Sequence, residues 1–196
     1  MKTLFVLILL LLIVGCSRQT NPRVLIATEL GEVEAELYID KAPVTAGNFL
    51  RYVDAGKYND IACIYRVVRP DNQPGKNIKI EVIQGGFYTD AQVERNGFSP
   101  IRHETTRETG IHHRDGALSM ARDQPGSASS EFFICIGAQP ELDFGGMRNP
   151  DGHGFAAFGR IYKGMEVVRK IQQLKDSSQY LVHPVKIRSI TRLKRN

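Results

Sequence analysis

The residues of this sequence that could do chemistry fall into a few local patterns, and each pattern implies a different reaction. His103-Glu104 begins like the metalloprotease motif in which two histidines four positions apart hold zinc, but Arg107 stands in the second histidine's place, so that chemistry is excluded. His112 and His113 are adjacent, and neighbours rarely converge on one metal from a loop, so solvated histidines are expected there. Asp143 to Gly154 is acidic and glycine-rich like a calcium loop, yet it lacks the terminal glutamate at EF-hand spacing and reads as a structural loop. The sequence contains no GxGxxG or P-loop and no defined carboxylate pair for glycoside hydrolysis. Cys63 and Cys135 each sit in an apolar run and lack C-x-x-C spacing, so buried free thiols are expected in preference to a disulfide or redox pair. Neither a metal nor a cofactor is expected. What remains is Arg66 inside an apolar strand-like run, Gln84 before two glycines, and Phe133, Met120 and Leu142 in apolar surroundings. Taken alone, Arg66 is a solvated or salt-bridged strand cation, and the three apolar residues are core.

The elements that would position these residues are mostly strands. Val24 to Ile39 alternates apolar and polar residues around a turn at Leu30-Gly31-Glu32, which predicts a hairpin. A helix is predicted from Pro43, with Ala46, Phe49, Leu50 and Val53 as its apolar stripe and Gly56 as its end. Strands are predicted at 62–68 and 80–87, separated by the polar, Pro- and Gly-containing segment Arg69 to Lys79. Residues 91–114 read as irregular loop. Strands follow at 116–121, 131–136 and 155–161, then a second helix over 164–174 and a C-terminal strand. In that last strand Val185, Ile187 and Leu193 alternate with charged positions, which predicts one solvated face and argues against a nucleic-acid stripe despite Lys186, Arg188, Arg192, Lys194 and Arg195. About eight strands and two helices predict a mainly β fold: a closed eight-stranded antiparallel barrel capped by two α-helices. The 196 residues, 42% hydrophobic and 24% charged with net charge +5, suit one such domain, expected to be monomeric.

The N-terminus carries a separate signal. Lys2 precedes an apolar run from Leu4 to Val14, too short to span a bilayer, followed by Gly15 and Cys16. Ile13-Val14-Gly15-Cys16 resembles the bacterial lipobox. This predicts a signal peptide over 1–15, a lipidated Cys16 with a tether to residue 22, and a folded domain over 23–194 in the cell envelope. Ser17, not Asp, follows the cysteine, which by resemblance to Gram-negative lipoproteins implies the outer membrane, on its periplasmic side, if the host has two membranes.

Five blocks carry a family resemblance in order: Ile64-Tyr-Arg-Val-Val68, Val82-Ile-Gln-Gly-Gly86, Gly116-Ala-Leu-Ser-Met-Ala121, Ser130-Glu-Phe-Phe-Ile-Cys135 and Ala157-Phe-Gly-Arg160. With Ala42-Pro43 and Asn48-Phe49 upstream, the chain resembles the cyclophilins over roughly 23–194. The resemblance implies a peptidyl-prolyl cis-trans isomerase acting on proline-containing polypeptides. It implies Arg66 as the catalytic arginine, Gln84 as the glutamine that orients it, and Phe133 as the floor of a proline pocket walled by Met120 and Leu142. Ala121 falls where the family's backbone pairs with the peptide. Glu131 and Arg122 replace a glutamine and an asparagine at the rim, where they could pair. Glu141 and Phe155 stand where animal members carry a tryptophan and a histidine, as in bacterial members that are active yet drug-insensitive. Glu81-Val82 stands where the family usually carries Phe-Met, which leaves one aromatic wall missing unless Phe87 or another aromatic fills the gap. That departure supports an alternative: a catalytically weak chaperone or proline-peptide binding module.

Overall fold

The computed structural model describes residues 21–194, so the signal segment and Cys16 lie outside the described residues. Strands β1 (Arg23–Thr28) and β2 (Gly31–Leu37) form the expected hairpin, and α1 (Pro43–Asp54) follows. Then come β3 (Cys63–Val68), β4 (Val82–Gly86), short helices α2 (Asp90–Asn96) and α3 (Thr106–Thr109), β5 (Ala117–Met120) and β6 (Phe132–Cys135). The chain ends with β7 (Ala156–Lys163), α4 (Met165–Gln172), the two-residue β8 (Asp176–Ser177) and β9 (Tyr180–Arg192). All pairings are antiparallel and run β1-β2-β7-β5-β6-β4-β3-β9. β9 also pairs with β1, which closes an eight-stranded barrel and leaves β8 as a short arm on β9. Closure leaves no long unpaired edge in the ring.

Alternation sorts side chains between the lumen and the outer wall. Ile26, Leu37, Ile64, Ile83, Leu118, Phe132 and Phe158 face inward and join α1 residues Phe49 and Tyr52 in one continuous core. A second, smaller apolar cluster forms on the outside around Phe133. Helix α1 starts with Pro43 at its first turn but has no side-chain cap of its own. Buried Glu104 supplies one from sixty positions away, accepting from Val44 N (3.2 Å), Thr45 N (2.7 Å) and the Thr45 hydroxyl (2.7 Å). A carboxylate at this end satisfies orphan amides and opposes the helix dipole.

Two expectations need correction. Residues 91–114 are not all loop, because α2 and α3 lie there; α2 is capped by Thr89, whose hydroxyl accepts from Gln92 N, with Gln92 reaching back. The alternation in β9 also breaks. Thr28 pairs with Ile187 but Ala27 with Ser189, so Arg188 is an inserted residue that flips the parity. Ile190 is therefore the buried residue beyond the bulge, and Leu193 is only partly covered.

Candidate active site

The site lies on the outer wall where β3, β4 and β6 run side by side. In β3 the register shifts between Ile64, opposite Gly85, and Arg66, opposite Gln84, leaving Tyr65 as the extra residue. This bulge lets Tyr65 and Arg66 both face outward while Ile64 and Val67 remain in the lumen. Gly85 and Gly86 allow strands to approach closely. A Cβ on Gly85 would sit 2.5 Å from Ile64 Cδ1, and Gly86, at φ +133°, lies against the backbone of Ser130 and Glu131.

Arg66 donates from Nη1 to Gln84 Oε1 (2.9 Å), and from Nε (3.1 Å) and Nη2 (2.6 Å) to Gln179 Oε1. Gln84 Nε2 donates to the Tyr65 hydroxyl (2.8 Å) and to Glu131 Oε2 (2.9 Å), and the Tyr65 hydroxyl donates to the same Glu131 oxygen (2.6 Å). Burial holds the Glu131 carboxyl above its usual pKa, partly offset by these hydrogen bonds. Burial and then the Glu131 charge push the Tyr65 phenol far up, so it stays a donor.

This polar row lines an open cavity of about 590 Å³, whose lining also includes an apolar group of Phe133, Leu142, Val82, Ile80, Phe155 and Ala121. Phe155 meets Phe133 edge-on with centroids 5.3 Å apart. Ala121 donates its N–H to Glu131 O (2.9 Å). The Glu81 side chain is not in the cavity: its carboxylate receives Gln172 Nε2 at 3.4 Å. Its neighbours Ile80 and Val82 supply aliphatic wall instead, and Phe87 is buried in the lumen against Tyr52 and Tyr58.

Two further assignments are overturned. Met120 shares parity with Leu118 and is buried in the barrel interior, so it is no wall of the cavity. Arg122 does not pair with Glu131. Its guanidinium donates from Nη1 and Nη2 to the Asp151 carboxylate (2.8 and 2.9 Å) and from Nε and Nη2 to Gly154 O, and it lies 5.2 Å over the Phe155 ring. The Arg122 hydrogen bonds hold Asp151 down to about 2. Both thiols are free, and burial pushes Cys63 up to about 11 and Cys135 higher still.

Sequence reasoning missed Tyr65, Gln179 and Arg148. Tyr65 was visible inside the Ile64–Val68 block. Gln179 lies 113 positions from Arg66 and carries no local signal. Arg148 lines the cavity and donates to Gln73 Oε1 (3.1 Å) and Ile78 O (2.8 Å), tying the Asp143–Gly154 loop to the Arg69–Lys79 segment.

Beneath Phe133, His113 bonds Asp143 Oδ1 through Nδ1 (2.7 Å) and Ser119 Oγ through Nε2 (2.9 Å). The arrangement has the connectivity of a hydrolase triad, but Ser119 is 0% exposed, so no acyl carbon can reach it. Asp143 can only accept, which puts the proton on Nδ1 and makes Nε2 the acceptor from Ser119. The ring stacks under Phe133 at 5.8 Å and 14° and supports the cavity floor.

With this geometry in hand, comparison with known proteins defines the class. The family model described as cyclophilin type peptidyl-prolyl cis-trans isomerase/CLD matches residues 23–192. A peptidyl-prolyl cis-trans isomerase of Acinetobacter baylyi is 35% identical over 186 residues, covering 91% of this chain and 89% of the relative. Peptidyl-prolyl cis-trans isomerase B of Escherichia coli is 33% identical over 146 residues, covering 74% and 80%. A crystal structure of a cyclophilin type isomerase from Cryptosporidium parvum superposes with a TM-score of 0.67 at 24% identity, covering 90% of this chain and 99% of that one, which speaks to the fold. The chain belongs to the cyclophilin family and is a peptidyl-prolyl cis-trans isomerase.

Proposed function

We propose that the chain accelerates X–Pro rotation in polypeptides folding in the cell envelope, as a monomer held by a lipid on Cys16, with Arg66 as its catalytic group. The reaction must lower an amide barrier of about 18–20 kcal/mol that resonance maintains. It needs no nucleophile. As the amide twists, the prolyl nitrogen turns pyramidal and its lone pair becomes available, so a fixed cation there favours the twisted state over either planar one. The observation that carries this reading is the Arg66 guanidinium, held by two neutral amide oxygens at the edge of an apolar notch. Phe133, Leu142, Val82, Ile80 and Phe155 would take the pyrrolidine ring, and Gln84 would contact flanking backbone while orienting Arg66. A structure of the Cryptosporidium protein in the presence of the dipeptide Ala-Pro is a fold-level parallel for such a ligand.

The sequence features that support the envelope assignment are the apolar Leu4–Val14 run and Gly15-Cys16. The test of the chemistry is a proline-isomerisation assay on the chain beside Arg66→Ala. Removing a preorganised cationic donor is expected to lower kcat/KM by about 10²–10³. An unchanged rate would discard Arg66 as the catalytic group.

A further inference from the structure

Gln84 is one of two hands on Arg66; the other is a residue from the far end of the chain. Ser178 and Gln179 form the two-residue turn between β8 and β9, both at positive φ (51° and 77°), in the hairpin geometry that positive φ at both positions produces. The turn aims Gln179 Oε1 at Arg66, where it accepts from Nε and Nη2. An amide can present either its oxygen or its nitrogen, and here the choice is made by a second partner: Gln179 Nε2 donates to Asn72 O at 3.1 Å. Asn72 belongs to the Arg69–Lys79 segment, which is itself locked to the turn. Asp176 Oδ2 accepts from Gln179 N (2.9 Å) and Asn72 Nδ2 (3.1 Å), while its other oxygen pairs with Arg69.

We infer that Gln179 is a positioning residue for the isomerase reaction: the turn and the 69–79 segment form a neutral clamp that fixes the Arg66 guanidinium in place without neutralising it. The inference rests on the reading of Arg66 as the catalytic group. A carboxylate in either position would hold the fork at least as firmly, but its charge would offset the field that the twisted amide requires. Among the described residues Arg66 has no carboxylate within salt-bridge distance, although Arg69, three positions on, has two.

The experiment compares Gln179→Gly, Gln179→Glu, Ser178→Gly and Arg66→Ala in the full chain. Glycine suits the positive φ at 179, so the side chain is removed without straining the turn. With the fork free to leave its productive geometry, Gln179→Gly is expected to lower kcat about tenfold with KM within about twofold. The Arg66 Nε–Hε resonance in ¹⁵N-edited NMR is expected to lose its protection from exchange. Gln179→Glu gives up the bond to Asn72 O but still accepts from Nε and Nη2, so it is expected to keep that protection; a lower kcat with protection kept is an effect a purely mechanical role would not produce. Ser178→Gly is expected to keep wild-type kcat; a fall as large as that in Gln179→Gly would trace the effect to the backbone of the turn and overturn the role of the Gln179 side chain. Wild-type kcat in Gln179→Gly, with Arg66→Ala inactive, overturns the positioning role. Wild-type kcat in Gln179→Glu overturns the requirement for neutrality. Wild-type kcat in Arg66→Ala instead sinks the catalytic assignment on which the clamp depends.

Discussion

A buried imidazole below the cavity floor couples the stability of the fold to pH at the scale of one residue. His113 is 1% exposed, and burial holds its pKa below the usual imidazole value even though Asp143 pulls the other way. The folded state therefore keeps the ring neutral, while the unfolded chain takes up a proton below about pH 6.5. Its contribution to stability is present above that pH and is lost as pH falls towards the lowered folded value. The melting temperature is expected to fall between pH 7 and pH 5, and His113→Gln to show a shallower fall over the same range. Half-buried His103 is shifted in the same direction and accounts for part of the remaining slope. A slope identical in the variant would remove His113 from this account.

At the scale of elements, α1 depends on a cap that belongs to another segment. Glu104 accepts three hydrogen bonds from the first turn, and charge-assisted bonds of this kind contribute about 1.5–3 kcal/mol. Glu104→Ala is expected to destabilise the fold by about 2–3 kcal/mol in denaturant titrations, at the upper end of cap effects, because buried amides lose their partner. A loss below about 0.5 kcal/mol, the size of an ordinary surface substitution, would refute the cap. The same scale explains what could be read in advance. The strands were legible because apolar residues recur at period two, and α1 because its stripe recurs at helical spacing. Helix α2 has no buried face, so it gave no periodic signal, although Thr89 and Gln92 sit at capping-box spacing. Met120 was misassigned because family motifs record order along the strand and not which face a side chain takes. Arg66, Gln84 and Phe133 were found through those motifs; Gln179 was not, since a contact spanning 113 positions exists only once the barrel closes.

Across the whole molecule, closure brings the two ends of the domain together. β1 pairs with β9, Leu193 N donates to Arg23 O at 2.9 Å, and Leu37 N donates to Pro22 O at 2.9 Å. The chain thus enters the barrel along the β1–β2 wall, and residues 17–21 extended would reach about 18 Å from it. Under the anchoring proposed above, Cys16→Ala is expected to move the protein from the membrane to the soluble fraction, or to block its processing. Unchanged membrane fractionation would reject the lipid anchor.

The order of strands around the ring gives the molecule a front and a back. β6, which carries Phe133, stands four strand positions from β1 whichever way the ring is followed. The strand by which the chain enters the barrel and the wall that carries the catalytic groups therefore lie on opposite sides of the ring, and under the anchoring proposed above the site is on the side away from the tether's attachment point. Because that wall is the barrel's exterior and not its filled lumen, a long chain can lay an internal proline into the notch sideways and lift off the same way. Neither end of the client has to be threaded.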